Sequence, residues 1–326
     1  MTPPSPRPRV VVLRGLGLGD VLAAVPALRA LRTALPDAEI ALVGPRDPAA
    51  LLRDAGLVDT VVAHQGLGPL PRAVHGADVA VNLHGHGPES HRLLLATGPR
   101  RLVAFGDAAS RTAGPTWESD EHERARWCRL VASAFDVAAD PDDTLLAVTL
   151  PEPSVRDAVV VHAGAAAGSR RWPAERWAAV AARLDADGPV ALTGSPAERG
   201  LAEQVATLAG LPPGSVVAGT TDVRALAALV ASALLVVSSD TGVAHLAPAF
   251  GTPSVTLFGP TSPAAWGPPE GGRHHVVWHG AGHRGDPHGA ALDPALGAIG
   301  VDEVVAAARA ALRAGLPPAG LGTARA

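Results

Sequence analysis

The chain has 326 residues, 47% of them apolar, with a formal net charge of −4, so it is neither a disordered segment nor a basic protein drawn to nucleic acid by bulk charge. All 27 basic residues are arginine, and the single cysteine, Cys128, rules out an internal disulfide and points to a reducing compartment. No stretch reaches the length of a membrane span, and the apolar run at 10–13 is too brief for a signal peptide. A cytoplasmic protein is expected, with peripheral contact at the inner face of a membrane left open.

After a short Pro-rich start, residues 9–14 (RVVVLR) read as a buried strand. They run into Gly15-Leu16-Gly17-Leu18-Gly19-Asp20, and then Val21, Val25, Leu28 and Leu35 fall on one helical face. Asp20 is an N-cap candidate, and Pro26 should kink this helix. Further strands are expected at 39–43, 60–63, 78–83 and 101–105, with helical segments at 48–55 and 90–96 between them. Residues 106–119 look irregular, 121–135 helical and 136–143 loop-like. This alternation predicts a parallel sheet covered on both faces. The glycines fall as G-x-G-x-G with an acid behind them, not as the dinucleotide fingerprint, and Asp20 would oppose a bound pyrophosphate. Two readings of Asp20 stand side by side: a helix cap, or a carboxylate at the edge of a cleft.

Leu150-Pro151-Glu152-Pro153 is the best linker, dividing a domain over 1–150 from one over 151–326. The second half opens with a strand at 158–162, then a Gly-rich loop ending in Ser169-Arg170-Arg171-Trp172-Pro173. Alternation resumes with a helix to 184, strand 190–193, helix 196–208, strand 215–218 and helix 222–233. An apolar run at 234–237 follows, then Ser238-Ser239-Asp240-Thr241-Gly242 and helix-compatible residues to Gly251. Strands at 254–257 and 275–278 and an amphipathic helix at 302–312 complete it, and the tail beyond Pro317 reads as disordered. A strand that stops at small polar residues and turns into a helix presents unpaired N–H groups to an anion. The Arg170-Arg171 pair beside a Gly-rich loop suits a bidentate phosphate clamp, though a solvated basic pair would read the same. In such folds ligands sit beyond the carboxyl ends of strands, where Gly15–Asp20, Gly164–Arg171 and Ser238–His245 all fall.

These motifs together resemble glycosyltransferase family 9, the heptosyltransferases. Arg14-Gly15, Gly19-Asp20-Val21-Leu22 and Pro26-Ala27-Leu28 are similar to the family's opening motif. Arg170-Arg171-Trp172-Pro173 with Trp177 resembles its second. Asp240-Thr241-Gly242, His245-Leu246-Ala247, Gly251-Thr252-Pro253 and Leu257-Phe258-Gly259-Pro260-Thr261, continued by Trp266-Gly267-Pro268, resemble its most specific block. The resemblance implies an α/β protein of the GT-B fold, two Rossmann-like doubly wound domains facing a central cleft. It implies inverting transfer of a heptose or related sugar from a nucleotide diphosphate, ADP being the expected carrier. Asp20 then stands as the catalytic base, with Gly15, Gly17 and Gly19 forming the acceptor-side loop. Arg170 stands where the family usually has lysine. Asp240 would hold donor sugar hydroxyls, with Ser169, Arg170, Thr241 and Gly242 at the diphosphate and Arg171, the other half of the basic pair, beside them. His245 lies one turn into the helix, where packing and a direct role are both open.

No resident cofactor or metal is implied; the nucleotide sugar is a substrate. Histidines 274, 275, 279, 283 and 288 show no ligand pattern with cysteine. The acceptor is a glycan, a lipid-linked molecule or a natural-product scaffold, and no nucleic acid partner is expected. Two other classes share the architecture: a sugar-nucleotide epimerase, which would alter the donor with no acceptor present, and a catalytically silent nucleotide-sugar-binding module, which would bind without turnover.

Overall fold

The computed structural model describes residues 7–282 and 284–315. The chain divides into two compact units, residues 1–149 and 150–326.

In the first unit, β1 (Arg9–Leu13) leads through a glycine turn to α1 (Leu18–Ala23) and α2 (Val25–Ala34). β2 (Glu39–Gly44), α3 (Arg46–Asp54), β3 (Thr60–Ala63), β4 (Val79–Asn82), α4 (Glu89–Leu95), β5 (Arg101–Val103) and α5 (Glu123–Phe135) follow. The sheet order is β3-β2-β1-β4-β5, and every pairing is parallel. β1 sits at the centre, and Val10, Val11, Val12 and Leu13 are all buried, as an unbroken apolar run demands when helices cover both faces.

The second unit runs β6 (Val159–His162), α6 (Ala174–Leu184), β7 (Val190–Thr193), α7 (Arg199–Ala209), α8 (Val223–Ala231) and β8 (Leu235–Ser239). It continues with α9 (Gly242–Ala249), β9 (Ser254–Leu257), α10 (Pro263–Trp266), β10 (His274–Val277), α11 (Pro294–Gly297) and α12 (Val301–Gly315). Its order is β10-β9-β8-β6-β7, again wholly parallel. Trp172 and Trp177 anchor its core edge to face, with ring centroids 5.1 Å apart. Among the described residues no helix is long and apolar enough to cross a membrane.

Three local expectations need correction. Pro26 does not kink one helix: the chain breaks at Ala24, and Pro26 takes the first turn of α2, where its missing N–H costs nothing. Asp20 is not the N-cap: Gly17 holds that position in extended geometry, and Asp20 is the third residue of α1. Residues 215–218 form no strand: a 3-10 turn, Pro213–Ser215, leaves only a single bridge from Val216 to Leu192. The tail beyond Pro317 and His283 lie outside the described residues.

Candidate active site residues in each unit

In the first unit the chemistry gathers at the carboxyl ends of β1 and β4. Gly15 passes so close to the next loop that a Cβ would lie 3.1 Å from Gly66 O, and the Gly66 N–H donates to Gly15 O at 2.8 Å. Gly15 is buried, Gly17 exposed and Gly19 intermediate. One oxygen of Asp20 accepts from the Gly17 N–H at 3.1 Å, closing half of a capping box. The other lies 3.4 Å from Arg14 Nη2.

Arg14, at the end of β1, is wholly buried. Its Nε donates to Asp20 O at 2.9 Å, its Nη1 to Leu83 O, and its Nη2 to Glu123 Oε1 at 2.9 Å. The guanidinium also lies 4.9 Å from the centre of the Trp127 ring. Glu123, at the start of α5, further accepts from Trp127 Nε1 at 2.9 Å and from Arg126 Nη1. Burial pushes the Asp20 carboxyl up; Arg14 pulls it down, Glu123 pushes it up, and the net result lies above the ordinary aspartate range. Burial also pushes Glu123 up, but Arg14, the Trp127 N–H and Arg126 outweigh it and hold it ionised. Beside them, His84 Nδ1 accepts the Gly15 N–H at 3.2 Å. Burial, then Arg14, then His64 hold that imidazole neutral, its pKa lowered to about 4.

In the second unit, the loop after β6 ends in a 3-10 turn, Gly168–Arg170. Gly168 is obligatory there, since a Cβ would lie 1.8 Å from Ala290 O. The Ser169 N–H donates to Gly289 O at 2.9 Å and the Asp293 N–H to Ser169 O at 3.2 Å, so the loop after β10 clasps this turn. Arg170 Nη1 donates to Asp240 O at 3.1 Å, bringing the turn against the end of β8. Arg171 turns away: it is exposed, and its Nε donates to Ala165 O at 2.8 Å. Thr241 is the N-cap of α9 by backbone geometry, yet its hydroxyl makes no cap bond. His245 packs edge to face on Trp266, centroids 5.9 Å apart.

Ser169 Oγ, Arg170 Nε, Ser239 Oγ, Ser238 Oγ and Thr241 Oγ1 are buried without a hydrogen-bond partner among the described residues. Buried polar atoms are seldom left so, and those that share one side of the ends of β6 and β8 could bond a polar ligand. Ser238 and Ser239 point to opposite faces of β8, so only one of them serves the α9 side.

Sequence reasoning missed two groups. Arg14 and Glu123 are 109 positions apart, and the only local hint was Glu123, Arg126 and Trp127 at helical spacing on one face of α5. The other lies at the ends of β6 and β7. His162 Nδ1 pairs with Thr193 Oγ1 at 2.9 Å, and Glu198 Oε2 accepts from both the N–H and the hydroxyl of Ser195 at 2.8 Å. Gly164 leaves room for that carboxyl, whose Cδ would lie 2.3 Å from an added Cβ. His274 pairs with Ser254 and His279 with Glu303, and among the described residues no group of three or more His, Cys, Asp or Glu is placed to hold a metal ion.

Two wholly parallel, doubly wound units, with polar loops at the carboxyl ends of their strands, are the architecture of the GT-B fold. The family model of glycosyltransferase family 9 (heptosyltransferase) matches residues 113–286, more than half of the chain, and the chain belongs to that family. No curated protein matches it significantly. A glycosyltransferase family 9 structure from Veillonella parvula is 20% identical, with a TM-score of 0.75, covering 94% of this chain and 97% of that one. E. coli ADP-heptose LPS heptosyltransferase II is also 20% identical, with a TM-score of 0.75 and coverage of 94% and 98%. E. coli heptosyltransferase WaaC, solved with ADP-2-deoxy-2-fluoro heptose, is 20% identical, with a TM-score of 0.68 and coverage of 91% and 97%. The protein is a glycosyltransferase that acts on a nucleotide sugar.

Proposed function

We propose that the enzyme transfers a heptose or closely related sugar from an ADP-linked donor to an acceptor hydroxyl with inversion, without a metal. The observation that carries this reading is the group of unpartnered polar atoms around Arg170 and the α9 start, beside a helix end that favours anions. The ADP-2-deoxy-2-fluoro heptose in WaaC supports the choice of nucleotide.

In this reading Ser169, Arg170, Thr241 and Gly242 take the diphosphate, and Arg171 lends charge at the rim. Asp240 accepts from sugar hydroxyls, and His245 borders the site from the first turn of α9. As the glycosidic bond breaks, negative charge grows on the leaving diphosphate, and fixed donors stabilise it. Asp20 takes the proton of the attacking hydroxyl, and Gly15, Gly17 and Gly19 keep the acceptor-side loop low. Burial makes Asp20 a stronger base than a surface aspartate, which suits that task. The acceptor is a glycan, lipid-linked or natural-product hydroxyl, met in the cytoplasm or at the inner face of the membrane.

The test is a thermal-shift and calorimetric screen of ADP, UDP and GDP. A ligand that binds only the folded chain raises its melting temperature. ADP should give the largest shift; a larger shift with UDP or GDP overturns the donor assignment, and no shift with any of them overturns the donor site.

A further inference from the structure

We propose that Glu123 is a positioning residue for Asp20: by gripping the Arg14 guanidinium it keeps Arg14 from closing a full salt bridge on the Asp20 carboxylate. This rests on the reading of Asp20 as the base.

The geometry shows the competition directly. Arg14 Nη2 has two N–H groups and two carboxylates within reach, Glu123 at 2.9 Å and Asp20 at 3.4 Å. The shorter contact is a strong charge-assisted bond and the longer a weak one. Nε and Nη1 of Arg14 are tied to the carbonyls of Asp20 and Leu83, so Nη2 is the end that the two carboxylates share. Glu123 cannot swing away, because Trp127 Nε1 and Arg126 Nη1 hold it. Arg126 is itself fixed: it lies 4.1 Å from the Trp117 ring and donates to the carbonyls of Glu118 and Glu121 at 2.9 and 2.8 Å. The charged groups around Asp20 are therefore Arg14 from β1, Glu123 and Arg126 from α5, and Glu121 beside Arg126, with His84 neutral near Arg14. Arg124 takes no part, since it faces Asp142 and Pro141.

A buried Arg–Glu pair could be purely structural, and burial of ion pairs is weak evidence for stability on its own. What distinguishes a tuning role is sign. Removing the Glu123 charge frees Arg14 for Asp20 and removes a like charge, so the Asp20 midpoint must fall. Removing the Arg126 charge leaves Glu123 less neutralised, so the midpoint must rise. A scaffold that merely loosened would not move it in opposite directions.

The experiment uses the full chain labelled with carbon-13 at aspartate side chains. The Asp20 resonance is assigned by its loss in Asp20→Asn. Glu123→Gln should lower the Asp20 midpoint by about one unit or more, the size of effect a charged neighbour exerts. Glu123→Asp should restore it, and Arg126→Gln should raise it. ADP affinity, measured in parallel, should be unchanged in all three, and circular dichroism should match wild type, which shows that they are folded. A Glu123→Gln midpoint within roughly half a unit of wild type, or both charge removals moving it the same way, overturns the proposal. If Glu123→Gln does not fold, the direction in Arg126→Gln decides alone. Asp20→Asn enzyme that still transfers sugar would defeat the base reading without touching this titration, so the two failures are distinguishable.

Discussion

Replacing Arg170 by methionine tests the donor site most directly. Methionine keeps the length and apolar stem of the side chain and removes the guanidinium. Two things are lost. The bond from Arg170 Nη1 to Asp240 O at 3.1 Å disappears, so the end of β8 loses its tie to the turn. The buried Nε, which has no partner among the described residues, no longer offers a donor to an anion. A hydrogen bond to a charged group contributes about 1.5–3 kcal/mol. Since about 1.4 kcal/mol is tenfold in affinity, ADP should bind between about 10-fold and about 140-fold more weakly. Arg170→Lys should fall between wild type and methionine, because it keeps the charge but not the planar fork. Arg171→Met should weaken ADP by no more than about fivefold, since an exposed charge contributes about 0–1 kcal/mol. Isothermal titration calorimetry at one fixed salt concentration measures all three, with circular dichroism confirming the fold. If Arg170→Met binds ADP within about twofold of wild type, or Arg171→Met proves the more damaging, Arg170 does not hold the diphosphate.

Other outcomes follow from the same geometry. Asp20→Asn should reduce kcat/KM by about 10²–10⁴, the usual contribution of a general base, while leaving ADP affinity intact. Because the Asp20 carboxyl lies above the ordinary range, wild-type kcat/KM should fall with pH as that group protonates, at a higher pH than an exposed aspartate would give; a flat profile down to pH 4 would contradict this. Gly168→Ala should destabilise the second unit by about 1–3 kcal/mol and weaken ADP binding, because its Cβ would meet Ala290 O at 1.8 Å; denaturant midpoints measure it, and an unperturbed midpoint would count against the clasped turn. His84 has a lowered pKa in the folded chain, so the unfolded chain binds its proton first: the stability it contributes is full above about 6.5 and is lost as pH falls through the window down to about 4. Urea unfolding from pH 7 to pH 5 should show that slope, and His84→Gln, which can still accept from Gly15, should flatten it.

Most strands were legible because they are short apolar runs rich in valine, and Val10–Leu13 and Val159–Val161 are buried as a covered parallel sheet requires. Residues 215–218 failed because Val216-Val217-Ala218 carries the same signal; Pro212 and Pro213, just before it, instead wind the chain into a 3-10 turn. Asp20 was misplaced by three positions because glycine is itself an accepted N-cap, and residue type alone could not choose among Gly15, Gly17, Gly19 and Asp20. The buried charges were illegible for a different reason. Glu123, Arg124 and Arg126 are charged residues within one helical segment, and what makes them buried lies elsewhere in the chain: Arg14 and Trp117 for the Glu123–Arg126 pair, and the 141–142 loop for Arg124. A polar residue can be recognised as interior only when its partner is known, and partner identity is non-local information.

In the proposed reading, the two strand-to-helix turns, alike in sequence pattern, serve opposite charges. At α1 the helix start is already occupied by its own acid, since Asp20 accepts from Gly17 and shares Arg14 with Glu123. A second anion there would meet two carboxylates, so this turn offers a proton acceptor and repels phosphate. At α9 the residue in the N-cap position leaves its hydroxyl unused, the nearby arginine points its guanidinium at the turn, and no residue of the helix's first turn is acidic. In the proposed reading, that turn supplies the donors that take the phosphate. Exchanging the two characters tests the argument: Thr241→Asp should abolish ADP binding by placing a carboxylate where the diphosphate would lie. Thr241→Ser, which keeps the hydroxyl, should bind ADP within a few-fold of wild type. ADP affinity surviving Thr241→Asp would mean that the nucleotide is held somewhere other than this helix start.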